Sequence, residues 1–234
     1  MNHARTMRTT TANIARTIFW NVDTQYDFMR ADGALYVPNA ESIEKNLEKL
    51  TQYANKNDLL IVSTGDWHTS SSKEFSATPD YRTTFPPHCL AGCAGAEFVP
   101  ATRPADAFRV DWRDTLHEEI IRGIADGIYW IEDKPVSSCR EIVLYKDDFD
   151  VFKGNPHTEK ILEIIKPDRA IVYGVATNVC VDYAVMGLLE RGIAVTVVKD
   201  AIKELPGLPL EETIKKWEKK GAVFATTEQI VGGM

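Results

Sequence analysis

Short apolar segments alternate with segments of helical periodicity along most of this chain. In the helical segments, apolar residues recur at three- and four-residue spacing, as Ile43, Leu47 and Leu50 do. Strands that alternate with helices form a parallel sheet with helices on both faces. The sequence therefore predicts an α/β fold. Its predicted strands are residues 17–22, 58–64, 141–146, 170–175, 193–199 and 222–226, and its predicted helices are residues 40–55, 178–190 and 211–220.

The stretch of residues 69–139 interrupts this alternation. It holds six of the eleven prolines of the chain, which favours loop over regular structure, although residues 114–123 have a helical pattern. Long loops in compact domains are commonly binding loops or lids. We therefore predict an N-terminal tail at residues 1–16 and a single domain at residues 17–234, with an inserted loop or lid around residues 101–140.

Length and charge exclude several classes of protein. A chain of 234 residues suffices for one large domain with a sizeable core. Its net charge of −7 and the lack of a basic block argue against nucleic acid as a partner. No apolar stretch approaches the ~20 residues that a membrane-spanning helix requires. We therefore expect a small-molecule partner, and neither a nucleic acid nor a membrane.

The cysteines and the N-terminus bear on the cellular compartment. The four cysteines form no CxxC pair, no complete zinc-site spacing and no dense disulfide framework, so a reducing, cytoplasmic setting is the simplest interpretation. Residues 1–22 lack Asp and Glu, a bias shared with organellar transit peptides. Because no clear amphipathic repeat accompanies this bias, we predict a disordered tail instead. The cysteines are Cys89, Cys93, Cys139 and Cys180.

Reactive side chains stand at the carboxyl ends of four predicted strands. Asp23 follows the first strand, Asp66 and His68 follow the second, Lys146 ends the third, and Cys180 follows the fourth. The carboxyl ends of parallel strands share one edge of the sheet, where ligands bind in open α/β sheets. Taken singly, each residue also fits a structural role as a turn former, a solvated charge or a small core residue. Their convergence on one edge predicts an active site there.

A cysteine, an aspartate and a lysine together suit nucleophilic catalysis at an acyl carbon. Cys180 lies where a strand gives way to a helix, and both a helix N-terminus and a nearby ammonium favour the thiolate. Asp23 can accept the thiol proton and later donate it to a leaving amine. An aspartate then takes the place of the histidine found in the familiar catalytic triads.

A second group of residues has the composition of a metal site. Asp66 and His68 are two residues apart in an extended segment, so both side chains point to one face, and His88 follows two prolines that stiffen its approach. One carboxylate and two imidazoles suit zinc, manganese or iron(II), with positions open for water or substrate. Spacing alone favours the alternative, two unrelated loop histidines. Glu74 and His117 are further candidate ligands.

Several motifs occur in a fixed order across about two-thirds of the chain. They are VDTQYDF at residues 22–28, GDWH at 65–68, FPPHC at 85–89, GAEF at 95–98, Lys146, and GVATNVCV at 174–181. With these motifs, the chain resembles the isochorismatase-like cysteine hydrolase superfamily and, within it, most closely the nicotinamidase branch.

The resemblance implies a fold, a catalytic triad and a metal site. The fold is a three-layer α/β/α sandwich with a central parallel sheet, a Rossmann-like architecture. The metal is a divalent cation, with zinc preferred over manganese and iron. The implied triad consists of Asp23, Lys146 and Cys180, and the implied metal ligands are Asp66, His68 and His88.

The resemblance also implies how the site would hold an acyl substrate. Members of this superfamily carry a cis peptide bond before the alanine of the GVAT-like turn, here between Val175 and Ala176. By analogy, the backbone amides of Ala176 and Cys180 would face the developing oxyanion. Phe28 and Phe85 are the candidate aromatic contacts for a substrate ring.

We therefore predict hydrolysis of a small amide, nicotinamide or a related C–N substrate, through a thioester on Cys180. The chain departs from the nicotinamidase pattern at residues 147–150, after the triad lysine, and at Phe85, where the branch commonly has tryptophan. An N-carbamoyl or ureidoacrylate hydrolase and an isochorismatase are the alternatives within the superfamily. A non-catalytic binding protein is the alternative from another class. Relatives often assemble, so we also expect a homo-oligomer.

Overall fold

The structure, a computed structural model, describes residues 16–127, 130–131, 134–135 and 140–233. These residues form a seven-stranded sheet and a separate two-stranded sheet. The strands are β1 (Thr17–Val22), β2 (Leu60–Asp66), β3 (Phe108–Val110), β4 (Trp130–Ile131), β5 (Lys134–Pro135), β6 (Glu141–Lys146), β7 (Arg169–Val175), β8 (Ala194–Lys203) and β9 (Val223–Ala225).

Helices connect most of the strands. In the helix Glu44–Lys56, Leu47, Leu50 and Ala54 are buried, since they recur at the spacing of one helical face. Turns of 3-10 helix cover Ala40–Ile43 and Ala94–Ala96. The α-helices are α1 (Tyr26–Met29), α2 (Glu44–Lys56), α3 (Glu118–Ala125), α4 (Val151–Gly154), α5 (Thr158–Ile165), α6 (Cys180–Glu190), α7 (Leu210–Lys219) and α8 (Thr227–Val231).

The large sheet has the strand order β3-β6-β2-β1-β7-β8-β9, and its neighbouring strands pair in parallel. The predicted parallel sheet is thereby confirmed. The chain builds the sheet from β1 outward through β2 and β6, and then returns to the other side of β1 at β7. In open α/β sheets, such a reversal leaves a ligand-binding crevice at the carboxyl ends of the two central strands. Here those strands are β1 and β7.

Helices cover both faces of the large sheet. On one face α2 and α8 contact each other and β8, while on the other face α6 packs on β7 and β8 and contacts α4 and α7. Every residue of β2 is buried, as expected of a strand that is covered on both faces. The three-layer α/β/α sandwich implied by the resemblance is confirmed.

Several elements differ from their predicted bounds. β2 begins two residues late because Asp58 adopts a left-handed φ of 54° in the turn after α2, and β2 then continues to Asp66. The proline-rich stretch contains β3, which pairs with β6 at the sheet edge and is too short to show a strand period. It also contains α3, four residues later than the predicted helix at residues 114–123. Helix α5 was not predicted.

Some predictions are not tested by these elements. Residues 1–15 and Cys139 lie outside the described residues. The single domain at residues 17–234 and the lid around residues 101–140 stay predictions. In the part of the chain that is described, no helix combines the length and apolar character needed to cross a membrane.

Candidate active site

Asp23 and Cys180 come from neighbouring strands at the crevice. β1 and β7 pair in parallel with Val22 opposite Gly174, so the residues after each strand emerge side by side. Asp23 directly follows β1, and Cys180 begins α6 after the turn at residues 176–179. Gly174 permits a very close approach, because a Cβ there would lie 2.0 Å from the Val22 carbonyl oxygen. This approach of the two strands brings the carboxylate and the thiol to the same place.

The Lys146 ammonium, at the end of β6, joins these two residues. Its Nζ lies 3.0 Å from Asp23 Oδ2 and 3.9 Å from Cys180 Sγ, and it also forms an ion pair with Asp66 Oδ1. The Thr64 hydroxyl donates to Asp23 Oδ1 at 2.6 Å. All of these side chains are buried, and buried charges require partners of this kind. The structure thus gathers the three residues of the predicted triad into one contact group.

Burial governs the protonation of the candidate nucleophile. It raises the pKa of the Cys180 thiol well above its ordinary value, and Lys146 opposes this effect only in part. Burial also raises the pKa of Asp23, again against the influence of Lys146. For Lys146, two neighbouring carboxylates outweigh burial and raise the pKa of the ammonium well above its usual range. Burial and the neighbouring carboxylates therefore favour the thiol form of Cys180 and oppose the effect of the ammonium.

The turn between β7 and α6 carries the candidate oxyanion donors. Its Val175–Ala176 peptide bond is cis, at the position that the resemblance implies. The Ala176 carbonyl accepts from the N–H groups of Val179 at 3.0 Å and Val181 at 3.1 Å. Cys180 is the first residue of α6, so its N–H is one of the four that have no acceptor within the helix. Ala176 and Cys180 line the same pocket, where such amides can donate to an oxyanion.

Four buried side chains converge beside the triad, with Nε2 of His68 3.5 Å from Asp66 Oδ2 and 3.8 Å from Glu74 Oε2. Nε2 of His88 lies 3.4 Å from Asp66 Oδ2. One candidate ligand atom from each residue lies within 4.8 Å of the others. His68 Nε2 is buried without a hydrogen-bond partner, which a cation between these atoms would supply. Two imidazoles and two carboxylates thus fit a divalent metal. His117, the other candidate ligand, is exposed and is not part of this cluster.

The Nδ1 atom of each histidine also has a hydrogen-bond partner. His68 Nδ1 lies 2.7 Å from Asp147 Oδ1 and 3.1 Å from Ser72 Oγ. His88 Nδ1 donates to the Pro86 carbonyl oxygen at 2.8 Å when it carries the ring proton. Contacts of this kind fix the tautomer that turns Nε2 toward a metal. Asp147 therefore belongs to the site, although in the sequence it is only a departure from the nicotinamidase pattern.

The electrostatics of the cluster link metal binding to pH. Burial disfavours a charged His68, yet Asp66, Asp147 and Glu74 raise its pKa to about 9. Burial raises the pKa of Glu74 to about 7. For Asp66, Lys146 and His68 outweigh burial and hold the pKa well below its usual range. A cation that binds His68 Nε2 must displace a proton, so metal affinity rises with pH through this range.

A narrow, mainly apolar pocket connects the thiol to the cluster. Cys180 lines it together with Asp66, Glu74 and His88, so the candidate nucleophile and the candidate metal ligands share one cavity. Phe28 and Phe85, the predicted aromatic contacts, both lie in its wall, and their role in binding a substrate stays a prediction. The rest of the apolar wall consists of Leu35, Val37, Phe149, Ala176, Val179 and Leu205.

Most of the residues that form this apolar wall were not predicted from the sequence. Val179 and Phe149 stand beside predicted site residues, next to Cys180 and three residues after Lys146, so proximity in the chain was an available signal. Leu35, Val37 and Leu205 come from loops, where no periodicity marks the side that faces a pocket.

Two polar residues of the VDTQYDF motif also act on the cluster. The Gln25 side chain accepts from the Asp66 N–H at 2.7 Å and donates to the Asp66 carbonyl oxygen at 2.8 Å. Asp27 Oδ2 accepts from the N–H of Cys89, the neighbour of His88, at 2.7 Å. Both contacts are to the backbone, so these residues position the candidate ligands from outside the pocket.

The protein is a parallel α/β sandwich with a buried cysteine, a carboxylate, an ammonium and a candidate metal-ligand cluster at the crevice of its sheet. A sequence profile of the isochorismatase domain family matches residues 130–229. Over these residues the chain is similar to that family, and the resemblance drawn from the motifs is confirmed.

Individual relatives agree with this assignment. The nicotinamidase/pyrazinamidase of Mycobacterium tuberculosis is 36% identical over 81 residues, 34% of this chain and 42% of that protein, so this match spans well under two-thirds of the relative's length. The nicotinamidase of Escherichia coli is 25% identical over 199 residues, 78% of this chain and 80% of that protein. The pyrazinamidase of Pyrococcus horikoshii, solved in complex with zinc, superposes with a TM-score of 0.65 at 23% identity over 90% of this chain and 99% of that one. This last likeness shows the fold.

Proposed function

We propose that this protein hydrolyses a small aromatic amide, nicotinamide to nicotinate and ammonia, through a thioester on Cys180. The observation that carries the proposal is the buried Lys146 ammonium, which contacts both Asp23 and Cys180 at the end of an apolar pocket. The relatives named as nicotinamidases support this choice of substrate. A complete set of nucleophile, base and cation also favours an enzyme over a non-catalytic binding protein.

Asp23 acts as the base in the first half of the reaction. The Cys180 thiol gives its proton to Asp23 as the sulfur forms a bond to the amide carbon. Lys146 stabilises negative charge on the carboxylate and on the sulfur, since it lies within reach of both. The oxyanion accepts hydrogen bonds from the amides of Ala176 and Cys180. Asp23 then returns the proton to the leaving nitrogen, the C–N bond breaks, and ammonia departs.

Water completes the turnover. A water molecule attacks the thioester carbon while Asp23 accepts one of its protons. The C–S bond then breaks and the proton on Asp23 returns to the Cys180 sulfur, while the product leaves as nicotinic acid and loses its carboxyl proton to solvent to give nicotinate. The raised pKa values of Asp23 and Cys180 suit this exchange, because burial favours the protonated form of each group and the proton can reside on either in turn.

We propose zinc as the metal of the cluster, held by Asp66, His68 and His88 with Glu74 as a fourth ligand. The set of imidazoles and carboxylates supports zinc, with manganese and iron as alternatives, and a protein of the same fold was solved with zinc. When bound, the metal would supply a Lewis acid that orients the substrate through its ring nitrogen or through a water molecule.

The composition of the pocket wall favours an uncharged ring over acidic substrates. N-carbamoyl amino acids, ureidoacrylate and isochorismate carry carboxylates, which proteins commonly recognise with Arg or Lys. Among the described residues that line the pocket, none is Arg or Lys, and the adjacent Lys146 is already paired with Asp23 and Asp66. We therefore place nicotinamide ahead of these acids.

Ammonia release from nicotinamide tests the proposal. We expect release by the zinc-loaded wild type and by Cys93→Ala, which removes an exposed cysteine, but none by Cys180→Ala. Release by Cys180→Ala would refute the covalent mechanism. Release from N-carbamoyl or ureido substrates alone would replace nicotinamide as the substrate while leaving the mechanism in place.

We also propose that the protein is a cytoplasmic homo-oligomer. The acidic composition and the sparse cysteines support the compartment, and the family resemblance supports the assembly. Light scattering during size-exclusion chromatography gives the molar mass of the protein and therefore the number of copies. A mass equal to that of one chain would contradict the assembly.

A further inference from the structure

The loop between β8 and α7 reaches the pocket through a tight turn. Residues 205–208 read Leu-Pro-Gly-Leu, with proline and glycine at the two central positions that a type II turn favours. Gly207 has a φ of 81°, the left-handed value that the third position of this turn requires. Leu205, the first residue of the turn, lines the pocket together with Cys180.

The Asn178 side chain ties this turn to the segment just before Cys180. Its Nδ2 donates to the carbonyl oxygens of Leu205 at 2.8 Å and Leu208 at 3.3 Å. Its Oδ1 accepts from the Leu205 N–H at 2.9 Å. One amide side chain therefore satisfies both backbone groups of Leu205, using its donor and its acceptor. The backbone adds another bond nearby, from the Thr177 N–H to the Lys203 carbonyl oxygen at 2.8 Å.

Leu205 lies at the mouth of the pocket. Leu205 and Phe149 are the half-buried members of the apolar wall, so they border both the cavity and solvent. The two hydrogen bonds between the Asn178 side chain and the backbone of Leu205 oppose a movement of this loop away from the pocket. The remaining apolar wall residues are buried, namely Phe28, Leu35, Val37, Phe85, Ala176 and Val179.

We infer that Leu205 limits which ring substituents the pocket accepts, and that Asn178 is the positioning residue that holds it there. This inference rests on the proposed amide hydrolysis, since it assigns the selectivity of the same site. A methyl group directed at Leu205 meets a wall whose backbone is fixed, and overpacking against a fixed wall is destabilising. The segment just before the nucleophile therefore also holds the part of the wall formed by Leu205.

Leu205→Ala tests the wall, and Leu208→Ala is the matched control because Leu208 occupies the same turn without lining the pocket. The measurement is kcat/KM for nicotinamide and for each ring-methylated nicotinamide. For at least one methyl isomer, we expect the ratio to nicotinamide to rise about tenfold in Leu205→Ala, the usual effect of one methyl group in a pocket, and to stay unchanged in Leu208→Ala. An unchanged ratio for every isomer would overturn the inference. A wild type that leaves nicotinamide intact would instead contradict the proposed function.

Asn178→Ala tests the positioning. It removes the three side-chain bonds to the turn but leaves Leu205 in the chain. We expect faster hydrogen exchange at the Leu205 amide and the same relaxed preference for the methyl isomer. A purely structural role for Asn178 would lower stability without moving the preference ratio, and slow exchange at Leu205 would show that Asn178 does not hold the turn. Either result would refute Asn178 as the positioning residue.

Discussion

The buried ammonium of Lys146 is the cation that neutralises the carboxylates of the candidate active site. Lys146 contacts Asp23, Asp66 and Cys180, and so belongs at once to the triad and to the edge of the metal-ligand cluster. Two buried carboxylates without this partner would be strongly destabilising. Because the same cation serves both groups, protonation at Asp23 and occupancy of the cluster are electrostatically coupled.

Asp147 is expected to set the affinity of the cluster for its metal. Its carboxylate holds His68 Nδ1 at 2.7 Å, so Asp147→Ala should weaken zinc binding about 10–100-fold, as the loss of such outer contacts commonly does. Competition with a chromogenic chelator gives the affinity without reference to activity. Asp148→Ala is the matched control, since it removes the same charge from a carboxylate that accepts from the Asp150 N–H. Equal affinity in the two variants would contradict this role for Asp147.

Glu141 makes the fold less stable as pH rises. It is buried at the start of β6, and burial raises its pKa to about 7 despite a hydrogen bond from Ser63 and the charge of Arg109. The folded protein then binds a proton that the unfolded chain releases near pH 4.5, so the free energy of unfolding falls as pH increases from about 5 to 8.

Between pH 5 and pH 8, the decrease in the free energy of unfolding should be about 1–3 kcal/mol smaller in Glu141→Gln than in the wild type. The amide keeps the shape of the side chain and removes the charge. Urea unfolding at pH 5 and pH 8 measures this difference. The exposed Glu218→Gln is the control. If Glu141→Gln shows the same pH dependence as the wild type, Glu141 is not the group responsible.

At the scale of elements, the site depends on how closely β7 approaches β1. Gly174 has a φ of 122°, and its missing side chain allows the contact with the Val22 carbonyl oxygen. The strand carrying Cys180 therefore lies against the strand carrying Asp23 without a side chain between them. The close placement of Asp23 and Cys180 depends on this contact between two strands, whereas Lys146 comes from β6.

Gly174→Ala should reduce the free energy of unfolding by about 2–4 kcal/mol, since it adds both left-handed strain and a clash with backbone. Gly192→Ala measures the cost of the left-handed backbone alone. Gly192 has a φ of 74°, but a Cβ added there would meet nothing within 4 Å. We expect a loss of only about 1 kcal/mol there. Equal losses in the two variants would show that the close approach of β1 and β7 is not required.

At the scale of the whole molecule, much of the fold could be predicted from the sequence. Buried strands such as Thr17–Val22 and Glu141–Lys146 appear with their predicted bounds, because a run of apolar residues between polar turns has few other interpretations. The positions of Asp23, Lys146 and Cys180 followed from the strands that carry them, since parallel strands place their carboxyl ends together.

What could not be predicted depends on contacts between distant segments. Leu205 lines the pocket from a loop that is hydrogen-bonded to Asn178, and Asp147 reaches His68 across 79 positions of the chain. Neither contact leaves a period or a spacing in the sequence. The rise in the pKa of the Cys180 thiol was also out of reach, because its main cause is burial, and burial depends on packing between distant segments.

The proposed mechanism requires that Cys180 form a thioester with the substrate. Rapid acid quench of the enzyme during turnover of nicotinamide, followed by mass spectrometry of its peptides, detects this thioester. We expect a transient nicotinoyl group on the peptide that carries Cys180, in the wild type and not in Cys180→Ala. Ammonia release by the wild type with Cys180 unmodified throughout, or with the acyl group on another residue, would contradict it.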